Sequence, residues 1–353
     1  GIGSSALGGG SLSGGEYNIA IGTDTLDALT SGDFNTAVGY ISGSALTTGS
    51  NNTSVGNQSL ENHTIGNDNT AIGSGALNAN TEGEQNTAIG RAALGSNTTA
   101  DNNTAVGYTA LLANTTGEHN IGIGNAAVNG CDTENHNLGI GTDALGGSIA
   151  GGENNVAVGN YTLAALTSGD DNVAIGYNAG NANTSGGQNI YIGRDVARLH
   201  TQDESNVIIG DDAVSDNAGT RVTTASNGVY VGTGAGENIL VGSFNTALGQ
   251  EALATAQGDR RNVAIGYESL KVFNTGTSVN DTENTAVGYQ AGLAVSTGAA
   301  NCLVGSRAGD TIQGGGSNTI IGTGADAYLA AAEHQIVLGN GLLSVGDNNV
   351  TLG

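Results

Sequence analysis

A five-residue motif, Asn-x-small-aliphatic-Gly, recurs along the whole chain and restricts its possible folds more than any other feature. Its Gly occurs at twenty positions between residues 22 and 353, and fifteen of the nineteen intervals between them are 17 residues long. Asn opens the motif in eighteen of the twenty copies. Units of this length that repeat along a chain are typical of solenoids, in which stacking buries the apolar side chains that one unit cannot bury alone.

The unit that begins at Asn103 reads NTAVGYTALLANTTGEH, and its pattern predicts β-structure. Thr104 to Val106 form a short strand rich in β-branched residues, and Gly107 provides a corner. A Leu column follows four residues after the motif Gly, which we interpret as a second short strand, and Thr-Thr-Gly-Glu provides a turn. A helix is excluded because Gly recurs within every candidate segment and apolar residues do not return at three- and four-residue spacing.

Alternation along the strand places Thr104 and Val106 on one side and Ala105 on the other. We expect the Thr and Val columns to face the core and the Ala column to face outward. Burial of one Val and one Leu per coil, at about 1.5 to 3 kcal/mol each, does not offset the ordering of a whole coil at about 1 kcal/mol or more per residue. An outward Ala strip would let a second chain pack closely, so the sequence favours a closed cyclic oligomer.

These patterns predict an all-β fold, a parallel β-solenoid of about twenty 17-residue coils, as a single repeat domain over residues 1–353. The motif Asn side chains would stack into a ladder that hydrogen-bonds from coil to coil, and the absence of Pro fits because Pro removes a ladder donor. The chain begins within a repeat, so we expect a segment of a longer polypeptide. The ladder residues that we single out are Asn35, Asn52, Asn69, Asn86, Asn103, Asn120, Asn172 and Asn189.

Charge and composition exclude several classes of protein. Eight Lys and Arg against 32 Asp and Glu give a formal net charge of −24, which repels nucleic acid and anionic membrane surfaces. The longest wholly apolar run, residues 327–332, is too short to cross a bilayer, so we expect no membrane insertion within this segment. Cys131 and Cys302 lie too far apart in sequence to indicate a disulfide framework or a metal motif.

The motif Asn-Thr-Ala-Ile/Val-Gly followed by x-x-Ala-Leu resembles the head repeats of trimeric autotransporter adhesins and the related repeats of phage tail fibres. The resemblance covers essentially the whole chain, although the unit is longer than the usual head repeat and no coiled-coil stalk, neck or membrane barrel occurs in it. It implies a left-handed β-roll packed as a homotrimer. It also implies attachment to a host or prey cell-surface glycan or protein, at an extracellular location on a cell surface or a virion fibre.

Functionally, the sequence therefore favours a fibrous surface adhesin or receptor-binding fibre segment that attaches through many weak contacts. A purely structural filament or shaft without a ligand is the alternative. Ice binding is a third reading, and it depends on a Thr column that we expect to face the core. That column consists of Thr36, Thr53, Thr70, Thr87 and Thr104.

The sequence gives little support for catalysis or metal binding. No candidate nucleophile has a paired base, and basic partners for clustered carboxylates are scarce, so we predict that the chain is not an enzyme, with no catalytic residues and no cofactor. The acidic pairs Asp170-Asp171 and Asp211-Asp212 occur without the Gly-Gly-x-Gly-x-Asp series of calcium-binding repeats. We therefore predict no metal site.

Breaks in the repeat are the strongest indication of a functional surface. Two coils carry five extra residues, within 211–227 and 267–283, and six of the eight basic residues fall near them. Insertions leave a solenoid as loops, and loops carry specificity, although neutral variation in a surface loop would produce the same pattern. The candidate receptor contacts are Arg194, Arg198, Arg221, Arg260, Arg261 and Lys271.

Two further columns allow more than one role. The Tyr residues directly after a motif Gly would form a strip for stacking on glycans or would cover the corner between strands. The His residues directly before a ladder residue would surround an ion on a trimer axis or lie in solvated turns. These residues are Tyr40, Tyr108, Tyr177, Tyr267 and Tyr289, and His119, His136 and His334.

Overall fold

The computed structural model describes residues 1–8, 13–215 and 225–353. They form two compact units, Gly1–Asp171 and Asn172–Gly353. The fold is all-β, with no helix among the described residues, and the predicted parallel β-solenoid is confirmed, with about 19 turns in total. No described helix is long and apolar enough to span a membrane.

The first unit contains nine three-residue strands, and each strand pairs in parallel with the next along the chain. In a regular coil the register joins each residue to the residue 17 positions later, as Thr87 faces Thr104. The strands are β1 Ile19–Ile21, β2 Thr36–Val38, β3 Thr53–Val55, β4 Thr70–Ile72, β5 Thr87–Ile89, β6 Thr104–Val106, β7 Ile121–Ile123, β8 Leu138–Ile140 and β9 Val156–Val158.

The second unit repeats this arrangement and adds a small separate sheet. Eleven of its strands pair in parallel in chain order, and β15 and β17 pair with each other at the second insertion. The strands are β10 Val173–Ile175, β11 Ile190–Ile192, β12 Val207–Ile209, β13 Val229–Val231, β14 Thr246–Leu248, β15 Asp259–Arg260, β16 Val263–Ile265, β17 Asn280–Asp281, β18 Thr285–Val287, β19 Cys302–Val304, β20 Thr319–Ile321, β21 Ile336–Leu338 and β22 Val350–Leu352.

The segment after each motif Gly is a series of turns, so the predicted second strand is wrong. Thr109 and Leu111 both have φ of 52°, in the left-handed region that an extended strand does not use. The backbone nevertheless pairs from coil to coil, since the Leu111 N–H donates to the Ala127 carbonyl at 3.0 Å. Alternate left-handed residues fold the chain tightly while its amides still point toward the neighbouring coil.

The predicted orientation of the strand is also wrong. Ala105 is fully buried beside Leu111, whereas Thr104 and Val106 are only half-buried and point outward. The core is narrow: a Cβ added at Gly122, which occupies the Ala position of the next coil, would lie 3.2 Å from Leu111 Cγ. Because the Leu of the turn already fills the interior, most coils accept only a small residue opposite it.

Three coils with Tyr or Leu at this central strand position, Tyr191, Tyr230 and Leu303, have Ala or Gly at the Leu position of the turn. Tyr230 fills the core of its coil, and a Cβ added at Gly236 would lie 2.4 Å from Tyr230 Cδ1. Leu303 likewise leaves only 2.7 Å between its Cδ2 and a Cβ added at Gly309. In these coils the strand side chain and the turn side chain would occupy the same part of the core, so only one of them is large.

Candidate functional site

The motif Asn residues form a buried ladder that joins successive coils within each unit. The Asn103 N–H donates to Asn86 Oδ1 at 2.9 Å, and Asn103 Nδ2 donates to the Gly117 carbonyl at 2.8 Å. Asn103 Oδ1 in turn accepts the Asn120 N–H at 2.8 Å. One side chain thus satisfies a donor and an acceptor of the next coil. All eight ladder residues singled out above are buried, namely Asn35, Asn52, Asn69, Asn86, Asn103, Asn120, Asn172 and Asn189.

The interruption of the ladder at Gly228 has a steric cause. A Cβ added at Gly228 would lie 2.3 Å from Tyr230 Cε2 and 2.8 Å from Tyr230 Oη. The Tyr230 ring therefore occupies the space that a ladder side chain would need. The backbone link persists, because the Gly228 N–H still donates to Asn206 Oδ1 at 2.8 Å.

A second buried polar column, which the sequence analysis missed, lies seven residues after the motif Gly. Asn97 Nδ2 donates to Asn80 Oδ1 at 3.0 Å, and Asn114 Nδ2 donates to Asn97 Oδ1 at 3.0 Å. Asn80 Nδ2 lies 3.1 Å from His63 Nδ1, and His63 Nε2 lies 2.8 Å from the Gly66 carbonyl. These contacts assign His63 the neutral tautomer with its proton on Nε2. The spacing of Asn80, Asn97 and Asn114, each 17 residues after the last, was the feature of the sequence that could have predicted this column.

His63 makes the stability of the first unit sensitive to acid. Burial lowers the pKa of His63, because the charged imidazolium loses its hydration. The unfolded chain takes up the proton as the pH falls below about 6.5, whereas the folded chain resists it, so stability present above that pH is lost on acidification. We expect His63→Asn, which extends the Asn column, to reduce the fall in Tm between pH 7.5 and pH 5. Parallel Tm profiles for the two proteins would contradict this assignment.

The first and third residues of each three-residue strand form what we call the outer sheet face. Its members are mostly Thr, Val and Ile, and Ile72 and Ile89 are each 39% exposed. In the second unit, Ile175 and Ile321 are exposed to a similar extent. This face is therefore a continuous run of partly exposed apolar side chains within each unit, and such surfaces mark interaction sites.

The basic residues near the insertions pair with acidic residues, mostly of neighbouring coils. Their charges compensate part of the acidic surface, although exposed pairs of this kind contribute at most about 1 kcal/mol each. Arg221 lies outside the described residues, and the role of this set in receptor binding remains a prediction. The pairs are Arg194–Asp211 at 2.9 Å, Arg198–Asp195 at 3.8 Å, Arg260–Asp281 at 3.2 Å, Arg261–Asp281 at 2.7 Å, Lys271–Glu268 at 2.6 Å and Lys271–Glu251.

Lys271 lies between two carboxylates. Its ammonium donates to Glu251 and Glu268, and these hydrogen bonds raise the pKa of Lys271 above its ordinary value. The same contact with Lys271 lowers the pKa of Glu268. Lys271 therefore remains charged and joins the turn of the lengthened coil to the coil before it.

Each lengthened coil is preceded by a buried carboxylate at a position that holds Gly or Ala in most coils. Glu134 precedes the 18-residue coil, and its Oε1 accepts the Gly151 N–H at 2.9 Å. Asp259 precedes the second insertion and accepts the Thr275 N–H at 3.2 Å. Asp203 has the same place before the first insertion. A carboxylate in this column therefore accompanies extra length in the next coil.

The 18-residue coil also borders a surface groove that the sequence analysis did not anticipate. Thr115, Asp132, Glu134, Ser148 and Ile149 contribute to its lining. The hydroxyl groups and the two carboxylates of this lining are groups that hydrogen-bond polar ligands. The only sequence signal was the single extra residue between the Gly of two successive motifs.

The Tyr and His columns lie on the surface. Tyr267 and Tyr289 stack with ring centroids 5.5 Å apart, so each covers one face of the other. The Arg307 guanidinium lies 6.0 Å from the Tyr289 ring centroid. Stacking along the solenoid thus occupies ring faces that a sugar would otherwise use. His119 and His136 are exposed and stack on each other, whereas His334 is exposed and lies beside Glu333.

Ser215, His200 and Asp203 include the residue types of a catalytic triad but do not form its geometry. His200 Nδ1 contacts Asp203 Oδ2, and both side chains are buried in the core. No hydrogen bond joins His200 Nε2 to Ser215 Oγ among the described residues, and Ser215 is also fully buried. Nor does the described part of the chain contain three or more His, Cys, Asp or Glu side chains grouped for a metal ion.

No protein-family model matches the sequence, and a search of curated proteins finds no match.

Proposed function

We propose that this chain forms a segment of a homotrimeric, left-handed β-roll fibre that attaches to a cell surface through many weak contacts. The outer sheet face carries the proposal, because each coil adds two partly exposed side chains to it, and these are mostly Thr, Val or Ile. Packing of three copies through this face would bury the apolar surface that a single solenoid leaves in water. The location that follows is extracellular, on a cell surface or a virion fibre.

Continuity of the outer sheet face across the insertions supports this assembly. Val207 pairs directly with Val229 across the first insertion, and Val263 pairs with Thr285 across the second. The extra residues of the second insertion follow Phe273 in the turn region, so the strands keep their register. The face is therefore free to pack, while the loop is free to contact a receptor.

Measurement of mass under native conditions tests the assembly. We expect three times the chain mass of 34.6 kDa for the wild type. The double variant Ile72→Lys and Ile89→Lys should run as a monomer with unchanged β-sheet circular dichroism, because charges would be buried without partners in the trimer. Thr116→Lys, on the exposed turn, is the matched control and should remain trimeric. A monomeric wild type would refute the proposal.

The two cysteines provide an independent measurement of the same face. Cys302 is the first residue of β19 and lies half-exposed on the outer sheet face, whereas Cys131 is buried in the core. Burial raises the pKa of the Cys131 thiol, which keeps it unreactive. Maleimide should label Cys302 rapidly in the monomeric lysine variant and slowly in the wild type.

Attachment itself is tested by binding to cells and to a glycan array. We expect trimers to bind and the monomeric lysine variant to lose about 100-fold in apparent affinity, because avidity requires linked contacts. A variant that lacks residues 275–279 and carries Asp259→Gly tests the second insertion, since removal of the loop alone would leave the Asp259 carboxylate buried without Thr275. Absence of binding by every trimeric form would support the structural shaft instead.

Ice binding is a second candidate, and the corrected orientation of the strands favours it. The Thr column faces outward in five consecutive strands, β2 to β6, beside a column of Val and Ile. A trimer would cover this array, so the two functions require different states of the chain. Thermal hysteresis of the wild type, together with a monomeric mass, would establish ice binding over attachment.

A further inference from the structure

His119 and His136 form a pair of imidazoles on the surface of the first unit. They occupy equivalent positions of successive coils, with φ of 59° in both cases, and both side chains are exposed. Their ring centroids are 5.1 Å apart and the ring planes differ by 5°. The backbone beneath them is fixed, because each N–H donates to a carbonyl of the preceding coil, that of Asp101 or Glu118.

We propose that His119 and His136 together bind one divalent transition-metal ion, of the kind that imidazole prefers, such as Ni²⁺, Cu²⁺ or Zn²⁺. Two nitrogens on one ion lie about 2.8 to 4.2 Å apart, depending on the nitrogen–metal–nitrogen angle, because each metal–nitrogen bond is about 2.0 to 2.1 Å long. The lone pair of each nitrogen lies in the plane of its ring, so the two rings must leave their parallel arrangement and turn until both planes contain the ion. Both side chains are exposed and have room for this rotation about their side-chain bonds. Water completes the coordination of the ion.

Electrostatics and the closeness of the two side chains favour this site. The net charge of −24 concentrates cations near the surface. The turn holds both imidazoles on one side of the coil, so the second nitrogen binds at a high effective concentration once the first is bound. Tyr17 and Phe34 stack at the same position of two other coils, with centroids 5.0 Å apart, which shows that the column itself brings the side chains together.

The chain supplies its own controls. His334 occupies the same column, but Ser317 and Asn348 take the equivalent positions of the neighbouring coils, so it is a single imidazole. Gln85 and Gln188 occupy the column with φ of 58° and 59°. Replacement of a His here by Gln therefore keeps a side chain that the same backbone already accepts in other coils.

Titration of the full chain with Ni²⁺ by calorimetry tests the site. We expect one ion per chain at the pair, with affinity reduced at least about tenfold by His119→Gln or by His136→Gln, since each leaves one ligand. His334→Gln should leave this binding unchanged. Tm without metal should be the same in all four proteins, which separates loss of a ligand from loss of the fold.

Two results would overturn the proposal. Unchanged Ni²⁺ binding by both single variants of the pair would place the ion elsewhere, on carboxylates or on Cys302. Equal losses from His334→Gln and His119→Gln would mean that each imidazole binds alone. Neither result depends on the assembly or attachment of the fibre, so the proposed function would stand or fall separately.

Discussion

Replacement of Gly107 by Ala should destabilise the first unit by about 4 kcal/mol or more, the largest effect that we expect from a single methyl group. Gly107 has φ of 142°, and a Cβ added there would lie 2.2 Å from the Gly124 carbonyl oxygen. The atom that it meets belongs to the backbone of the next coil, so no side-chain rotation relieves the contact. The loss should appear as a lower urea midpoint and as faster hydrogen exchange in the adjoining coils.

Gly75→Ala is the matched control for this experiment. Gly75 also has a positive φ, of 70°, but no atom lies within 4 Å of an added Cβ. Ala92 takes the equivalent position of the next coil with φ of 55°. We therefore expect a change of about 1 kcal/mol or less for the control. Similar urea midpoints for the two variants would show that contact between coils at the motif Gly is looser than the structure indicates.

Asn103→Ala should cost about 1 to 3 kcal/mol, because it leaves the buried Asn120 N–H without an acceptor. The Asn120 N–H loses the Asn103 Oδ1 acceptor. The Gly117 carbonyl loses the Asn103 Nδ2 donor but still accepts a hydrogen bond from Asn114 Nδ2 at 2.9 Å. Asn120 is fully buried, so water does not replace the lost acceptor in the folded chain. The loss is measured as the difference in unfolding free energy from urea titration followed by circular dichroism.

Asn125→Ala provides the comparison for the ladder. Asn125 is exposed and follows a motif Gly in the next coil, so its replacement should change stability by no more than about 0.5 kcal/mol. If Asn103→Ala were as mild as this control, water would have to enter the ladder and replace the amide. Hydrogen exchange at the Asn120 amide distinguishes the two cases.

The class of fold was predictable from the repeat. An aliphatic residue and Gly recur at a fixed interval of 17 residues, and stacking of the units is the only way to bury such small apolar columns. The face of the strand was not predictable in the same way. Alternation separates Thr104 and Val106 from Ala105 but does not state which side is interior. The expectation that larger side chains lie inside failed because Leu111 fills the core from the turn.

The turns were misread for a local reason. Leu111 and Thr109 adopt a left-handed backbone that side chains with a Cβ usually avoid, so their sequence gave no warning. The second buried polar column was not predicted, because its residue type changes along the chain, from Leu46 to His63 to Asn80. The ladder, by contrast, keeps Asn at nearly every copy, and constancy of the residue made the column visible in the sequence.

The short sequence separation between paired residues determines how such a chain can change length. Most of the pairings described above join residues 17 positions apart, and the longest strand register, across either insertion, spans 22. In the part of the chain that the structure describes, each strand therefore pairs only with the coils next to it in the sequence. Duplication or loss of one whole unit within a regular stretch would leave every column in phase, so the length of the solenoid can vary in steps of one coil without redesign of its core.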